Sequence, residues 1–479
     1  MATARRLGRV VVVGALAVAA ATAAANGARA ARRAQPASDP AVVALRDQAL
    51  ASDAAWKLLA SLTTEVGPRS AGSAGDKRAV EWALAAMKGL GLDDVRSQPV
   101  TVPHWVRGEN SGEILAPYPQ KVLLTALGGS VGTPEEGITA DVVGFPTLEA
   151  LKEAPDEQVR GRIVYLDRRM ERTKDERGYG EGVGIRRDGP ATGGRKGALA
   201  VLIRSVATGS HRFPHTGTTF YDDAPKVPAA ALAVPDADVL AAQLQSGKPV
   251  RFHLRLTSRA LPDEPSANVI GEIRGATHPE EIVLLGAHLD SWDLGTGAID
   301  DGAGCSIVMA AAKLIAAQPR RPARTIRIVL YANEEFGLSG ARAYAKEHAD
   351  ELPKHVLALE ADLGAAKVWG FRALAAPAGR AFLQQQVAPD LAPLGVEWLD
   401  PAAFGGADLS PLEPAHVAMA DLAHDASEYF DYHHTADDTL DKIDPKSLAQ
   451  GVAAYAVTAW RAADSAVTFG PAPEPPPRR

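Results

Sequence analysis

The spacing of hydrophobic positions changes along the chain and divides it into three parts. From about Asp39 to Trp105 apolar residues recur mainly at helical spacing, in DAAWKLLASLTTEV and AGDKRAVEWALAAMKGLGL, before a short strand, VRSQPVTV. From about Gln120 to Thr257 short β-type segments alternate with turns: ADVVGF, GRIVYLD, GALAVLIR and PAAALAV. From Ser266 onward strand, loop and helix alternate, which is typical of a parallel α/β sheet.

These patterns predict the domain organisation. We expect an α/β fold with a mainly parallel central sheet flanked by helices, into which a separate β-rich domain is inserted. Within the inserted part, the polar stretch from Arg172 to Arg195 is rich in glycine and arginine and predicts a mobile loop. The predicted parts are a processing segment at residues 1–30, the start of the main domain at 31–119, the inserted domain at 120–257, the rest of the main domain at 258–467, and a disordered Pro-rich tail at 468–479.

The first residues have the pattern of a signal peptide. MATARRLGR is basic, VVVVGALAVAAATAAA is apolar, and ARA at residues 28–30 fits a cleavage site between small residues. We therefore expect export to a periplasm or out of the cell. An uncleaved membrane anchor is the alternative, although the apolar stretch is short for a membrane span.

Composition excludes several classes of protein. With 46% hydrophobic and 23% charged residues the chain is typical of globular proteins. The net charge of -7 and the scattered basic residues give no indication of a nucleic-acid partner. Cys305 is the only cysteine, so an intramolecular disulfide and a metal site made of thiolates are both excluded. No segment after the N-terminal one predicts stable membrane insertion.

Three apolar segments of the last part end in candidate metal ligands. EIVLLGAHLD ends at His288 and Asp290, TIRIVLYANEE ends at Glu334 and Glu335, and HVLALEAD ends at Asp362. In open α/β sheets the ligand crevice lies outside the carboxyl ends of the strands, so we expect these side chains to face one crevice.

Two more groups accompany these strand ends. Asp300 and Asp301 precede a long apolar helix, and FDYHHTADDT brings His433 and His434. Taken singly, an acidic pair is typical of a solvated surface or a helix N-cap. The whole set of His, Asp, Glu, Asp and His in order instead indicates a metal site, because burying so many carboxylates without cations is costly.

At these residues the sequence resembles the co-catalytic two-zinc exopeptidases. The matching motifs are HLD, a DD pair twelve residues after that histidine, NEEFG, EAD and HTADDT. The similarity to the carboxypeptidase Q-like branch extends to VGPRSAGS, PHWVRGE, GSVGTPEEGITADVV, KGALAVLIRSVA, PHTG, HLDSWDLGTGAIDDG and YHHT, nearly the whole chain after the N-terminal segment. The resemblance implies a zinc-exopeptidase fold in which the inserted part is a protease-associated domain.

The resemblance also implies a ligand set for two zinc ions. The implied ligands are His288 and Asp362 for one ion, Glu335 and His434 for the other, and Asp300 as the bridge between them. Cobalt or manganese can replace zinc on such donors. In this family the peptide bond after the bridging aspartate is typically cis, which implies a cis bond between Asp300 and Asp301.

Three neighbouring residues receive catalytic roles from the same resemblance. Glu334 is expected to be the general base that activates the attacking water, and Asp290 is expected to orient His288. His433 stands where many related aminopeptidases have a tyrosine that steadies the oxyanion. Its N–H is expected either to stabilise that charge or to support its neighbours.

The expected substrate is a short peptide, because enzymes of the carboxypeptidase Q-like branch act chiefly on unsubstituted dipeptides. Candidate groups for recognising a free terminus are Arg204, Ser205, His215 and Asp408, each of which has structural hydrogen bonding as an alternative role. The branch also makes a homodimer an expectation.

Three alternatives to a dipeptidase remain at this stage. One is an exopeptidase for longer substrates, either an aminopeptidase or a glutamate-releasing carboxypeptidase. The second is a glutaminyl cyclase, which uses a single zinc ion on this fold. The third is a receptor-like protein that binds without catalysis. The presence of all five ligands and of the base argues against the second and third alternatives.

Overall fold

The computed structural model describes residues 39–400, 403 and 405–474, and the predicted signal peptide lies outside these residues. The described part contains two eight-stranded sheets. The strands, in chain order, are β1 (Asp93–Val106), β2 (Asn110–Ala116), β3 (Gln120–Val122), β4 (Leu124–Ala126), β5 (Ile138–Phe145), β6 (Ile163–Leu166), β7 (Ala200–Arg204), β8 (Ala229–Leu232), β9 (Arg251–Leu256), β10 (Arg259–Ile273), β11 (His278–His288), β12 (Arg324–Tyr331), β13 (His355–Glu360), β14 (Val368–Leu374), β15 (Glu397–Trp398) and β16 (Met419–His424).

Helices surround both sheets. In chain order they are α1 (Pro40–Ala51), α2 (Ala54–Ser61), α3 (Ala74–Gly89), α4 (Leu148–Glu153), α5 (Asp156–Val159), α6 (Arg177–Gly182), α7 (Gly184–Arg187), α8 (Gly189–Arg195), α9 (Val234–Gln245), α10 (Ala303–Ala316), α11 (Ser339–Glu347), α12 (Pro377–Phe382), α13 (Ala388–Leu391), α14 (Tyr429–Tyr432) and α15 (Pro445–Ala463). None of the described helices has the length and apolar character needed to cross a membrane.

The first sheet has a parallel centre, and β1, β10 and β14 add antiparallel pairs on either side of it. Its strand order is β1-β10-β12-β11-β13-β16-β14-β15. β11 pairs in parallel with β12 and β13, and β13 pairs in parallel with β16, whereas β10 is antiparallel to both of its neighbours. The predicted α/β class with a mainly parallel centre is therefore confirmed.

The central strand β11 is apolar because both of its faces are covered. Every residue from Ile282 to His288 is buried, as expected for a parallel strand between two layers of helices. Helices α10 and α15 pack against each other and contact β11. Asp444 caps the N-terminus of α15 by accepting hydrogen bonds from the backbone N–H groups of Lys446 and Ser447.

The second sheet is built from residues 110–256, between β1 and β10 of the first sheet. Its strand order is β3-β2-β9-β5-β6-β7-β8-β4, and β5 to β8 are parallel to one another. It has its own apolar side chains, including Phe252 and Tyr165, in clusters separate from that of β11. β5, β6, β7 and β8 coincide with the segments in which the sequence predicted β structure.

The mobile loop predicted from Arg172 to Arg195 is not what the structure contains. The helices α6, α7 and α8 occupy most of this stretch. Ile185 and Pro190 are buried, and Arg172 donates to both carboxylate oxygens of Asp431, at 2.7 and 2.9 Å. Tertiary contacts thus order a stretch whose glycine-rich composition favours a loop.

Candidate metal centre

The sheet topology brings three of the candidate ligands together. His288 is the last residue of β11, while Glu335 follows β12 and Asp362 follows β13. Because β12 and β13 flank β11 in parallel, their carboxyl ends meet at one edge of the sheet. Asp300 enters this edge from the connection between β11 and α10, and His434 enters it just after α14.

The carboxylate of Asp300 lies between two imidazoles. Its Oδ1 is 3.0 Å from Nε2 of His288, and its Oδ2 is 3.2 Å from Nε2 of His434. Nε2 of His288 is also 3.4 Å from Oδ1 of Asp362, and Nε2 of His434 is 3.1 Å from Oε2 of Glu335. Each carboxylate oxygen of Asp300 therefore lies in a separate group of candidate metal ligands. Oδ1 lies with His288 and Asp362, and Oδ2 lies with His434 and Glu335.

The donor set fits divalent cations. Ligand atoms of His288, Asp300 and Glu335 lie within 4.8 Å of one another, and those of Asp300, His433 and His434 do the same. Imidazole nitrogen and carboxylate oxygen are typical zinc donors. Oε1 of Glu335 is buried and has no hydrogen-bond partner among the described residues, so it retains a free coordination position.

The electrostatics of the cluster favour positive charge at the same place. Burial alone lowers the pKa of His434, but the carboxylates of Glu335 and Asp300 outweigh it and raise that pKa to about 9. Burial likewise opposes protonation of His288, yet Asp362, Asp290 and Asp300 raise its pKa well above the usual value. A positive charge among these carboxylates, carried by imidazolium or by a metal ion, therefore stabilises the site.

Asp290 connects the ends of β11 and β12. Its Oδ1 accepts the backbone N–H of Glu334 at 3.0 Å, and its Oδ2 lies 3.4 Å from the backbone N of Glu335 as a second acceptor. Nδ1 of His288 is 3.1 Å from the Asp290 carbonyl oxygen and 3.5 Å from Oδ1. The carbonyl is thus the nearer acceptor for the imidazole, while the carboxylate holds the backbone of the two glutamates.

Glu334 is half-buried next to this cluster. Burial raises the pKa of its carboxyl well above the usual range, and the carboxylates of Glu335, Asp362 and Asp290 raise it further, against the opposing effect of His288. A carboxylate with a raised pKa accepts a proton more readily near neutral pH, which suits a general base.

His433 stacks on His434, with ring centroids 3.5 Å apart. Its Nε2 is 3.6 Å from Oδ2 of Asp300, and its Nδ1 is buried without a hydrogen-bond partner among the described residues. Burial, followed by the nearby His434, holds the pKa of His433 well below its usual value. His433 is therefore neutral at the edge of the site.

Two aspartates fix the backbone that carries Asp300. Asp438 accepts the backbone N–H groups of Ile299 at 2.5 Å and Asp300 at 3.2 Å. Asp301 accepts the N–H of His288 at 3.1 Å and that of Gly304 at 3.0 Å. The Asp300–Asp301 peptide bond is cis, as the sequence resemblance implies.

Arg69 supports the loop that follows β11. Its buried guanidinium donates to the carbonyl oxygens of Leu289 at 2.6 Å, Thr296 at 2.7 Å and Gly297 at 2.8 Å. The arginine of the VGPRSAGS motif therefore holds the backbone between His288 and Asp300.

Two of the four residues predicted to recognise a substrate terminus have internal partners. Arg204 pairs with Asp167 at 2.7 Å and Asp238 at 2.8 Å. The hydroxyl of Ser205 donates to the Leu232 carbonyl at 2.7 Å and accepts the N–H of His215 at 2.9 Å. Both side chains thus have structural hydrogen bonds within the region of the second sheet.

The other two retain unused polar atoms. Nδ1 of His215 is buried without a partner among the described residues, and burial lowers the pKa of this histidine to about 3. Both carboxylate oxygens of Asp408 are also buried without a partner in the described part. Burial raises the pKa of Asp408 well above its usual value, and the carboxyl groups of Glu360 and Glu334 raise it further.

Sequence reasoning missed two residues next to the candidate metal ligands, Tyr179 and Arg186. Nη1 of Arg186 is 3.4 Å from Nδ1 of His434, and its Nη2 donates to the hydroxyl of Tyr179 at 2.7 Å. Both residues lie in the stretch that was predicted to be a loop. No local motif marks them, because their position depends on tertiary packing. Ile185 of α7 is buried among residues of the second sheet, and Tyr179 of α6 stacks on Phe430.

Comparison with known proteins identifies the family. Residues 268–458 match the model of peptidase family M28. Carboxypeptidase Q of Bos taurus is 36% identical over 416 residues, 86% of each chain, and that of Homo sapiens is 35% identical over 426 residues, 88% of each chain. The crystal structure of a peptidase M28 precursor from Shewanella amazonensis SB2B is 46% identical, with a TM-score of 0.87 over 91% of this chain and 98% of that one.

A more distant structure shares the fold. BSAP, a zinc aminopeptidase from Bacillus subtilis, is 21% identical, with a TM-score of 0.61 over 87% of this chain and 95% of that one. The resemblance stated from the motifs is therefore confirmed at the level of the family. The chain belongs to peptidase family M28 and is a metallo-exopeptidase, a hydrolase of peptide bonds.

Proposed function

We propose that the protein is an exported zinc dipeptidase of the carboxypeptidase Q type, with two metal ions per chain. The observation that carries this proposal is the position of Asp300, whose two oxygens face Nε2 of His288 and Nε2 of His434. A carboxylate with one oxygen towards each histidine is what a bridge between two ions requires.

The proposed ligands divide between the two sides of Asp300. His288 and Asp362 would hold one ion, and Glu335 and His434 would hold the other. The unpartnered Oε1 of Glu335 and the raised pKa values of both histidines support this division. Zinc, when bound, supplies a Lewis acid for the scissile carbonyl and lowers the pKa of water.

The remaining roles belong to residues of the chain. Glu334 takes the proton of the attacking water and returns it to the leaving amine. Asp290 fixes the backbone of Glu334 through the hydrogen bond of 3.0 Å, so that the base keeps its position during both transfers. The neutral His433 stands beside Asp300, where a ring N–H can stabilise negative charge on the substrate.

The region of the second sheet is hydrogen-bonded to the backbone of two candidate ligands, which supports a role for this region beside the site. Thr216 donates its backbone N–H to the carbonyl of His434 at 3.0 Å, and the hydroxyl of Thr218 donates to the carbonyl of Glu335. We assign residues 110–256 as the protease-associated domain and propose that it limits the length of peptide that can enter. Export through residues 1–30 and a homodimer remain part of the proposal.

An aminopeptidase for longer peptides is the second candidate. The unpartnered carboxyl of Asp408 favours it, because a buried carboxylate can bind the amino terminus of a peptide. A match of 29% identity over 61% of this chain to leucine aminopeptidase 2 of Arthroderma otae points the same way.

Metal analysis together with hydrolysis of a peptide panel tests the proposal. The panel contains free dipeptides, N-blocked dipeptides and longer peptides, each assayed with and without a chelator. We expect two zinc ions per chain and chelator-sensitive hydrolysis of free dipeptides. Faster cleavage of longer peptides from the amino end would favour the aminopeptidase, and one ion without peptide hydrolysis would favour a cyclase.

A further inference from the structure

Arg186 is a buried cation next to the metal ligands. Its side chain lies in α7, and 7% of the residue is exposed. Its Nη2 donates to the hydroxyl of Tyr179 at 2.7 Å, and its Nε is buried without any partner among the described residues. No carboxylate of the described part lies within ion-pair distance of this guanidinium.

Other buried arginines of the protein do not share this situation. Arg107 pairs with Asp293 at 2.5 Å, Arg327 pairs with Glu272 at 2.8 Å, and Arg324 pairs with Glu281. Arg69 has no carboxylate within ion-pair distance in the described part of the chain, but four backbone carbonyls accept its hydrogen bonds. Burying a guanidinium without an anion is costly, so the exception at Arg186 indicates an anion that comes from outside the chain.

The contact with His434 does not satisfy the guanidinium. Nε2 of His434 faces the carboxylates of Asp300 and Glu335, and Nδ1 points away from them. Nδ1 lies 3.3 Å from the carbonyl of Thr216, its natural acceptor. Nη1 of Arg186 lies 3.4 Å from the same Nδ1, a long contact with a ring that brings no negative charge, so the guanidinium has no anion there.

The guanidinium is held in place from two sides. A Cβ added to Gly217 would lie 2.3 Å from Nη1 and 2.4 Å from Cζ, so the PHTG loop passes directly against the guanidinium. On the other side the ring of Tyr179 lies 5.4 Å from Cζ and stacks on Phe430 at 4.8 Å. A guanidinium fixed in this way is preorganised for a planar carboxylate.

We propose that Arg186 binds the free α-carboxylate of the substrate's C-terminal residue, and this rests on the proposed dipeptidase function. The imidazole of His434 lies between Arg186 and the carboxylates of Asp300 and Glu335. The C-terminal carboxylate carbon of a dipeptide lies about one residue, roughly 3.8 Å, from the scissile carbonyl. A single residue after the scissile bond keeps the free carboxylate close to the reacting carbonyl, so Arg186 is a specificity-determining residue for that residue's free carboxylate.

Hydrolysis of alanyl-alanine and of its C-terminal amide tests this assignment. The wild-type enzyme is expected to prefer the free acid by about 100-fold in kcat/KM, the effect of a charge-assisted pair in a buried site. Arg186→Gln is expected to lose about 100-fold on the acid and less than about 3-fold on the amide. Arg187→Gln is the matched control, since Arg187 is the next residue of the same helix and is exposed.

Two further measurements separate recognition from support of the metal site. Zinc content of Arg186→Gln is expected to equal that of the wild type. An alanyl-alanine analogue with a reduced, uncleavable bond is expected to bind Arg186→Gln about 100-fold more weakly by calorimetry, whereas its amide form binds both proteins equally. Arg186→Lys keeps the charge and is expected to retain part of the preference for the acid, which covers the case in which the glutamine variant does not fold.

Several outcomes overturn the assignment. Equal losses on acid and amide would show that Arg186 acts on the reacting bond, and loss of zinc would show that it supports His434. A wild-type enzyme that cleaves acid and amide equally well has no carboxylate site, although it remains a dipeptidase. A wild-type enzyme that cleaves neither substrate refutes the proposed function, and the assignment with it.

Discussion

Oδ1 of Asp290 accepts the backbone N–H of Glu334 at 3.0 Å and so joins the segments that follow the parallel strands β11 and β12. The same carboxylate reaches the N–H of Glu335 at 3.4 Å, while the Asp290 carbonyl lies 3.1 Å from Nδ1 of His288. One residue therefore fixes a base and two candidate ligands relative to one another. We expect its contribution to activity to be that it holds the distance between the candidate base and the candidate metal ligands.

Replacing this carboxylate tests that role. In Asp290→Asn one of the two carboxylate oxygens becomes an amide NH₂ group. That group faces a backbone N–H, so one hydrogen bond is lost and two hydrogen-bond donors lie against each other. We expect kcat to fall about 10- to 100-fold, with a smaller change in KM and partial retention of zinc. Steady-state kinetics and metal analysis measure both quantities. Glu280→Gln, on the exposed start of β11, is the control, and an unchanged kcat in Asp290→Asn would contradict the assignment.

Substitutions of the two adjacent glutamates are expected to have different effects on zinc content and on kcat. Glu334→Gln removes the proton acceptor and is expected to keep zinc while kcat falls about 1,000-fold. Glu335→Gln removes a donor whose Oε2 lies 3.1 Å from Nε2 of His434, so it is expected to lose zinc. Mass spectrometry of the intact metal-loaded protein, beside kinetics, distinguishes the two. Loss of metal in Glu334→Gln instead would show that Glu334 is the metal ligand and Glu335 is the base.

The two adjacent histidines are expected to differ in the same manner. His434→Ala deletes the imidazole that faces Asp300 and Glu335 and is expected to lose metal. His433→Ala is expected to keep metal and to lose about 100-fold in kcat, because a neutral ring N–H near the substrate oxygen is removed. Metal titration of both apo variants measures this. Equal loss of metal affinity in the two variants would show that His433 is also a metal ligand. The distance of 3.6 Å between its Nε2 and Oδ2 of Asp300 is compatible with that role.

Much of this site is predictable because the chemistry lies at strand ends. The apolar segments before His288, Glu334 and Asp362 become β11, β12 and β13, and parallel pairing then brings their ends together. No sequence pattern, however, shows that the carboxylate of Asp290 lies closer to the backbone N–H of Glu334 than to the imidazole of His288. That choice depends on the rotamer and on the register of two strands.

Arg186 shows a second limit of sequence reasoning. The stretch around it is rich in glycine and charged residues, so the local pattern favours a loop. Its proposed role depends on a contact with a histidine far along the chain. The helix α7 forms because Ile185 is buried in the core of the second-sheet region. Local propensity is weak here, and tertiary packing decides both the helix and the position of the guanidinium.

The lowered pKa of His355 predicts how the free energy of unfolding depends on pH. In the neutral imidazole Nδ1 donates to the Glu351 carbonyl at 3.0 Å and Nε2 accepts from the hydroxyl of Tyr344 at 2.8 Å. Burial lowers the pKa of His355 from 6.5 to about 4, against the opposing effect of the Glu351 hydrogen bond. Between pH 6.5 and 4 the unfolded chain therefore binds a proton that the folded protein does not, and stability falls with falling pH.

The expected loss from this one group is about 3 kcal/mol across that range, with no contribution above it. His355→Gln cannot titrate, so its urea-unfolding free energy is expected to fall less steeply between pH 6.5 and 4. The difference from the wild type is the quantity to measure, because His424, whose pKa burial also lowers to about 4, contributes equally to both proteins. His278→Gln, at an exposed position, is the control. A difference between wild type and His355→Gln that stays constant with pH would contradict the prediction, since it would mean that the folded protein protonates His355 as readily as the unfolded chain.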